Sequence, residues 1–502
     1  MPDFIEALGS LYQLIGVAQL VFVTIGLATG ILIGALPGVG PMLGVIMAIP
    51  FTYYMDPISS MALLIGIYQG GSFGGALSAT VVGMPGTPMA AATLLDAHPM
   101  ALRGRASEAA TLSTIGSAFG GVTSALVLIA IAPLLAQIAL KFGPAETAAF
   151  ALLGLTTLGA LSSGSPLKGW MMGLFGLFLA TIGLDPVTGV SRYTFGSVYL
   201  DSGLTLIPIL VGLFGISEVL MQVERPIRAH DHASGVAASI AAFRSLIARP
   251  INYVRSSVTG VFVGILPGIG GVTASFLSYR LAMPFRKHGD PNFGEGNPDG
   301  VIASEAANSA VTGGALIPML ALSIPGDPIV AVLMGGLMLQ GITPGPRMFL
   351  DHPDVVQGIF AVFLIGAAML LPLGLVFIRG VVGVLRLPQW SILAAVVMIS
   401  LVGTYAISRQ ILDLVVMILF GAIGYLLRKA DYPVAPIVIG FVLGPIFEAN
   451  YRRTWLISQG DFLGYLATRP ITLVVLVGVM LALAFPFFQG LTSRRRTTSK
   501  SA

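Results

Sequence analysis

The chain has 502 residues, of which 55% are hydrophobic and only 10% charged, with a formal net charge of +4. Soluble domains carry about 25% charged residues, so this composition excludes an ordinary water-soluble globule. It contains no cysteine, which excludes a disulfide frame, thiol catalysis and an iron–sulfur centre.

The amino terminus, "MPDFIEALGS", carries Asp3 and Glu6 and no basic residue. It lacks the positive region of a secretory signal, so the first apolar segment is expected to be retained. Apolar runs long enough to cross a bilayer as helices then recur along the chain, among them Leu11–Leu36, Gly120–Leu140, Val355–Ile378 and Ile471–Phe488. This predicts an all-α polytopic membrane protein with roughly 10 to 14 membrane segments.

The first run breaks at Gly34-Ala35-Leu36-Pro37-Gly38-Val39-Gly40, and the same break returns 230 residues later at Gly264-Ile265-Leu266-Pro267-Gly268-Ile269-Gly270. A second pair follows, "GMPGTP" at 83–88 and "SIPGDP" at 323–328, offset by 240. A third is "PILVGLFGISE", ending at Glu218, and "PIVIGFVLGPIFE", ending at Glu448, offset by 230 again. The polar insertion "RKHGDPNFGEGNPDG" at 286–300 accounts for the extra ten residues at the second pair. Glycine and proline are common in membrane helices, which explains a single break. It does not explain three landmarks in the same order in both halves. The chain reads as an internal duplication, and discontinuous helices in duplicated halves mark transporters whose site lies where the repeats meet.

The flanks of the first break carry Asp3, Glu6 and Asp56, whereas those of the second carry Arg249, Arg255, Arg280, Arg286 and Lys287. Opposite charge preference predicts opposite orientation, hence inverted repeats, with each "LPG" unit a re-entrant hairpin whose two ends lie on one side. The positive-inside rule makes the basic regions cytoplasmic: Arg225, Arg228 and Arg244, the second hairpin's flanks, Arg428/Lys429, Arg452/Arg453 and the tail "SRRRTTSK". The expected organisation is a first transmembrane repeat over 1–225, a basic cytoplasmic linker over 226–256 and a second repeat over 257–465. A C-terminal transmembrane helix over 466–490 and a cytoplasmic tail over 491–502 complete it.

In "MPGTPMAAAT", Thr87 followed by Pro88 reads as a helix cap with proline in the first turn, and "IPGDPIVAVL" repeats this with Asp327 and Pro328. A half-helix that starts inside a membrane points free N–H groups and a positive dipole end into a cavity, which suits a carboxylate. Either residue could equally be a cap and nothing more. The candidate substrate-binding residues are Gly38, Gly40, Pro85, Gly86, Thr87, Gly268 and Gly270. Glycines Gly38, Gly86, Gly268 and Gly326 each follow a proline where left-handed backbone is expected. In "SEAANSAVTGGALIP", which includes Glu305, the amide of Asn308 and hydroxyl of Ser309 could coordinate Na⁺ or simply join helices. With Pro325, Gly326 and Asp327 they form the candidate ion-coupling set, Asn308 and Asp327 being the candidate Na⁺ ligands. A neutral cap at Thr87 leaves its helix end attractive to a substrate anion, whereas Asp327 at the equivalent end calls for a cation.

Other chemistries find little support. There is no P-loop and no H-E-x-x-H; His230 and His232 form a weak metal pattern in a basic stretch; Ser163 and Ser165 lack an activating partner. Nothing suggests nucleic-acid binding. A membrane-embedded enzyme and a carboxylate channel remain the alternatives, neither favoured by a motif.

The stretches "GALPGVGP", "MPGTPMAAATLLDAHPMALRGRASEA", "EAANSAVTGGALIPMLALSIPGDPIVAVLMGGLMLQGITPGP" and "VLGPIFEANYRRTWLISQGD" resemble the large membrane permease of the tripartite tricarboxylate transporter family, the TctA type. The resemblance runs from about residue 30 to 470. It implies a non-enzymatic, cation-coupled importer of organic carboxylates in a bacterial inner membrane, driven by Na⁺ or H⁺ with no other cofactor. It also implies two partners, a small four-helix membrane subunit (TctB-type) and a periplasmic solute-binding protein (TctC-type). The chain departs from the family pattern at Gly83 and Ser309, where the family usually has Asn, and at Asp327, where it favours Ser.

Overall fold

The computed structural model describes residues 15–156, 165–185, 188–224, 238–268, 270–385, 388–481 and 483. Asp3, Glu6, Ser163, Arg225, Arg228, His230, His232, Ile269 and the basic tail lie outside these. The described residues are overwhelmingly helical, the paired strands among them being the two-residue pieces Gly183–Leu184 and Ser191–Arg192. Numbering the principal helices in chain order gives α1 (Val17–Ala35), α2 (Gly40–Thr52), α3 (Pro57–Val82), α4 (Ala91–Met100), α5 (Ala106–Ala139), α6 (Pro144–Thr156), α7 (Pro166–Leu179) and α8 (Leu206–Glu224). The second half gives α9 (Pro250–Ile265), α10 (Gly270–Ala282), α11 (Pro298–Leu322), α12 (Pro328–Leu339), α13 (Pro353–Leu385), α14 (Gln389–Ser408), α15 (Ile411–Lys429), α16 (Ala435–Ile457) and α17 (Pro470–Leu481).

Among the described residues six helical stretches are long and apolar enough to cross a membrane, and four shorter apolar helices accompany them. The protein is an all-α, multi-pass membrane protein. Helices α3 and α11, with 26 and 25 residues, are long enough to span but carry Ser, Thr, Gln and Gly throughout. They are buried along nearly their whole length, so protein rather than lipid surrounds them and their polar side chains can find partners.

Contacts divide the chain into two units. The first comprises residues 1–136 and 207–426 and holds both broken hairpins. Here α1 lies on α3 through Gly26, Gly30 and Gly34, spaced by four. A Cβ on Gly30 would come within 2.5 Å of the Ile67 carbonyl, so only glycine permits this approach. The second repeat is built alike: α9 lies on α11 through Gly260 and Gly264, and a Cβ on Gly260 would sit 2.3 Å from the Ala307 carbonyl. Around the first pair, Leu27, Ile31, Phe73 and Leu77 form an apolar core with Val362 and Leu370 of α13.

The two central helices run antiparallel. Asn308 of α11 donates to the Ser72 carbonyl of α3 at 3.1 Å, whereas Tyr68, a turn earlier on α3, bonds Asp327. The Asp327 segment lies level with Ala315, two turns later on α11, because Gly326 packs directly on Ala315. Later positions on one helix therefore meet earlier positions on the other. The ends agree. The α4 residue Asp96 accepts from the N–H groups of Gly294, Gly296 and Asn297 at 2.9, 2.8 and 2.8 Å, in the loop that leads into α11. Reciprocally, Gln340 at the end of α12 donates to the Thr52 carbonyl, just before α3 begins. Each half-helix thus ends at the mouth of the other repeat's hairpin, so the two hairpins open at opposite ends of the unit. These are inverted repeats.

The second unit comprises residues 137–206 and 427–502. Its helices α7 and α16 are held close by Gly176 and Gly440, each against the partner's backbone. Arg192 pairs with Glu448 at 2.6 Å, and Arg452 with Asp185 and Glu448, both at 2.8 Å. Glu448, the end of the third sequence landmark, is therefore neutralised by two arginines.

Opposed hairpin mouths have a direct readout. In this cysteine-free chain, Tyr53→Cys (Tyr53 is 43% exposed) and Arg280→Cys report the return ends of the two hairpins. A membrane-impermeant thiol reagent is expected to reach one from outside and the other only in inverted vesicles. Labelling of both from one side contradicts the inversion.

Candidate functional site

Each hairpin breaks on left-handed glycines. Gly38 and Gly40 have φ of 83° and 67°, and Gly268 and Gly270 have 82° and 73°, a backbone that L side chains rarely adopt. Downstream, α3 ends on Gly83 and α11 on Ser323, with φ of 75° and 62°. From there the chain doubles back along its own helix before the half-helix starts. In the first repeat the Gly86 N–H reaches the Gly75 carbonyl at 3.2 Å. In the second, Gly326 accepts from the Gly268 N–H at 3.1 Å, tying the second break to the second turn-back.

Two expectations change here. Gly86 and Gly326 are not in left-handed backbone; that conformation falls earlier, at Gly83 and Ser323. They are glycines because of crowding: a Cβ on Gly86 would lie 2.1 Å from the Gly34 carbonyl, and one on Gly326 would lie 2.6 Å from Ala315 Cα. The second change concerns Thr87. It holds the cap position with extended backbone, but its hydroxyl makes no capping bond, and a short 3₁₀ turn (Pro88–Ala90) precedes α4. Thr87 Oγ1 is buried with no hydrogen-bond partner. Asp327 does cap α12, accepting from the Val330 N–H at 2.8 Å, and its other oxygen is held by the Tyr68 hydroxyl.

The sequence-derived candidates therefore fall into two tips. Gly38, Gly40, Pro85, Gly86 and Thr87 surround the first, since Gly86 packs on Gly34 at the edge of the first break. Gly268, Pro325, Gly326 and Asp327 form the second. Gly270 begins α10, whose next residue, Gly271, packs on Met89 of the first tip, so the two tips meet. Thr87 lies against Gly75 of α3, and Asp327 bonds Tyr68 on the same helix, seven residues or about 10 Å along its axis. Asn308 and Ser309 sit farther back on α11, beside Ser72 and Glu305 rather than Asp327. Their Asn308 Oδ1 and Ser309 Oγ atoms are buried and unpartnered, two free oxygen acceptors on adjacent residues. Among the described residues no three His, Asp or Glu side chains gather. A Na⁺ here would be held largely by such neutral oxygens.

Tyr68, Thr93 and Ser117 escaped the sequence reading. Tyr68 lies in "LLIGIYQGGS" with no local motif, and Thr93 and Ser117 meet Glu305 only through the fold. Asp96 was detectable as a lone acid in an apolar stretch.

Half-helices that start inside two inverted, interlocked repeats, with free buried acceptors beside them, define a membrane transport subunit. The profile of the tripartite tricarboxylate transporter TctA family matches residues 20–439. The chain belongs to that family and is a component of a tripartite tricarboxylate transporter. It is similar to a 52.8 kDa protein of Agrobacterium vitis from the TAR-I ttuC' 3' region, 36% identical over 482 residues and covering 95% of each chain. A second A. vitis protein, from the TAR-II ttuC' 3' region, is 39% identical over 202 residues, 40% of this chain and 83% of that one. No solved structure matches the chain significantly.

The glycine geometry separates two kinds of substitution. Gly38→Ala places a side chain in left-handed backbone and is expected to cost about 1–2 kcal/mol. Gly86→Ala must push apart α1 and the turn-back, and is expected to lower the thermal unfolding temperature in detergent further than Gly38→Ala does. Equal, small shifts in both variants would mean that the first tip is loosely packed.

Proposed function

We propose that the chain is the large permease of a secondary transporter that imports an organic carboxylate, of the tricarboxylate or dicarboxylate class, across a bacterial inner membrane. Import is coupled to Na⁺ or H⁺. A periplasmic solute-binding protein delivers the substrate, and a small four-helix membrane subunit completes the complex. The basic tail and the basic flanks of the second hairpin face the cytoplasm.

The observation that carries this reading is the unpartnered hydroxyl of Thr87 at a half-helix start. A buried polar group without a partner costs about 1–3 kcal/mol, and a substrate carboxylate at this tip would accept from it and from the free N–H groups beyond. The second repeat supplies the cation side: Asp327 occupies the equivalent position, and Asn308 and Ser309 offer free oxygens one helix back.

Reconstitution tests the reading. Purified chain in proteoliposomes is expected to accumulate labelled carboxylate only with the small subunit, the binding protein and an imposed ion gradient. Uptake by the lone chain counts against the tripartite reading, and flux that never runs uphill indicates a channel. Thr87→Val is expected to raise the half-saturating substrate concentration about fivefold, one hydrogen bond of about 1 kcal/mol, with ion dependence unchanged. Asp327→Asn should alter ion dependence more than substrate affinity; the reverse pattern sinks this division between the tips.

A further inference from the structure

Glu305 is fully buried on α11, and among the described residues no ion pair reaches it. One of its oxygens meets the hydroxyl of Thr93, from the segment that α4 contributes from the other repeat. The second accepts from Ser117 of α5 at 2.9 Å, and the Asn308 side chain adds a further bond. Thr93 Oγ1 also lies 2.9 Å from Ser304 Oγ, and Ser304 donates to the Gly300 carbonyl at 2.9 Å.

Hydrogen counting gives this chain a direction. A hydroxyl has one hydrogen to donate. Ser304 has the Gly300 and Val301 carbonyls of its own helix at 2.9 and 3.1 Å, and while its hydrogen is there the hydrogen between Thr93 and Ser304 belongs to Thr93. In that arrangement the hydrogen between Thr93 and Glu305 comes from the carboxyl. If Glu305 were ionised, Thr93 would donate to it, and Ser304 would have to turn from its own helix carbonyls to donate to Thr93. As a neutral acid Glu305 donates to Thr93 and accepts from Ser117 and Asn308, which leaves the Thr93 hydrogen for Ser304 and the Ser304 hydrogen for the carbonyls of its own helix. Burial agrees, since an ionised carboxylate at this depth without a cation is strongly disfavoured. Asp327 is the contrasting case. It accepts from the Tyr68 hydroxyl and from the N–H groups of Ile329 and Val330 at a helix start, partners that have no counterpart at Glu305.

We infer that Glu305 holds a proton in this state of the protein and is the residue through which H⁺ is coupled to transport. The second half of this inference rests on the transport reading; the first does not. The charged and titratable groups on the surrounding helices lie elsewhere: the His98 ring of α4 is 3.4 Å from the Thr80 carbonyl, Tyr253 of α9 meets Ser245 at 2.8 Å, and Arg280 of α10 is exposed. On α4, Asp96 is turned into the 294–297 loop and takes the Tyr279 hydroxyl of α10. On α5, Glu108 pairs with Arg105, and on α11, Asp299 pairs with Arg249. On α3, Tyr68 is bound to Asp327. Arg255 of α9 bonds Asn252 and stacks on Phe285. Among the described residues Glu305 therefore has neutral partners and no competing charge alongside.

Infrared spectroscopy of the purified protein at neutral pH reads the proton without transport. The C=O stretch of a neutral, deuterium-sensitive carboxylic acid is expected in the native chain, lost in Glu305→Gln and kept in Asp327→Asn. An unchanged band in Glu305→Gln overturns the protonation. Should that variant not fold, Thr93→Val removes the acceptor, and the band should shift to higher frequency; an unshifted band overturns the assignment equally. In the reconstituted complex, Glu305→Gln is expected to lose accumulation driven by a pH gradient, down to the level without one, while substrate exchange persists. If the band assignment holds but pH-driven accumulation survives in Glu305→Gln, the proton is structural and the coupling role falls. If only a Na⁺ gradient drives the native complex, the coupling role falls likewise. Absence of any carboxylate transport by the native complex would strike the proposed function instead.

Discussion

A backbone N–H or carbonyl left unpaired in hydrocarbon costs several kcal/mol, so a helix can break inside a membrane only where protein closes around the break. The first unit breaks its helices at Gly38 and Gly268 within hairpins, and at Gly83 and Ser323 after the central helices. The close packing of the first unit follows from the need to pair what those breaks release. The Gly86 and Gly268 N–H groups find carbonyls at Gly75 and Gly326, and Asp327 takes the Val330 N–H. Those bonds form only if backbones come within touching distance. The glycine stripes of α1 and α9 serve that approach rather than helix stability, since glycine is a poor helix former.

Inversion supplies the rest of the enclosure. Because α3 and α11 run antiparallel, each half-helix is anchored at its far end by the other repeat, through Asp96 in one direction and Gln340 in the other. The near end of each is the tip itself. Two polar joints at opposite ends of the unit thus tie each half-helix to the opposite hairpin's mouth.

The breaks, the duplication and the glycines were legible because each leaves a local trace: proline after an apolar run, glycine at a fixed offset, opposite charge on equivalent flanks. The cap at Asp327 was legible for the same reason. The state of Thr87 was not. Its sequence context matches that of Asp327, and the difference arises because a 3₁₀ turn replaces the first α-turn at one tip only. Nor could local sequence place Asn308 beside Glu305 and Ser72 rather than Asp327. That depends on the turn-back, which carries Asp327 to the level of Ala315, two turns beyond Asn308. Contacts across the repeats, such as Thr93 with Glu305, depend on the antiparallel register and have no trace in either partner's neighbourhood.

The two buried carboxyls of the second repeat show why placement outweighs residue type. Asp327 and Glu305 are both acids, both enclosed, and both reach the first repeat through a hydroxyl, Tyr68 in one case and Thr93 in the other. The Tyr68 hydroxyl donates to Asp327. The Thr93 hydroxyl lies between two oxygens, those of Glu305 and Ser304. Asp327 also stands at a helix start, where N–H groups and dipole favour charge, whereas Glu305 stands in mid-helix, where every neighbouring N–H is already bonded along α11. One acid is thereby tied into the tip of its half-helix, and the other stands among neutral hydroxyls and an amide.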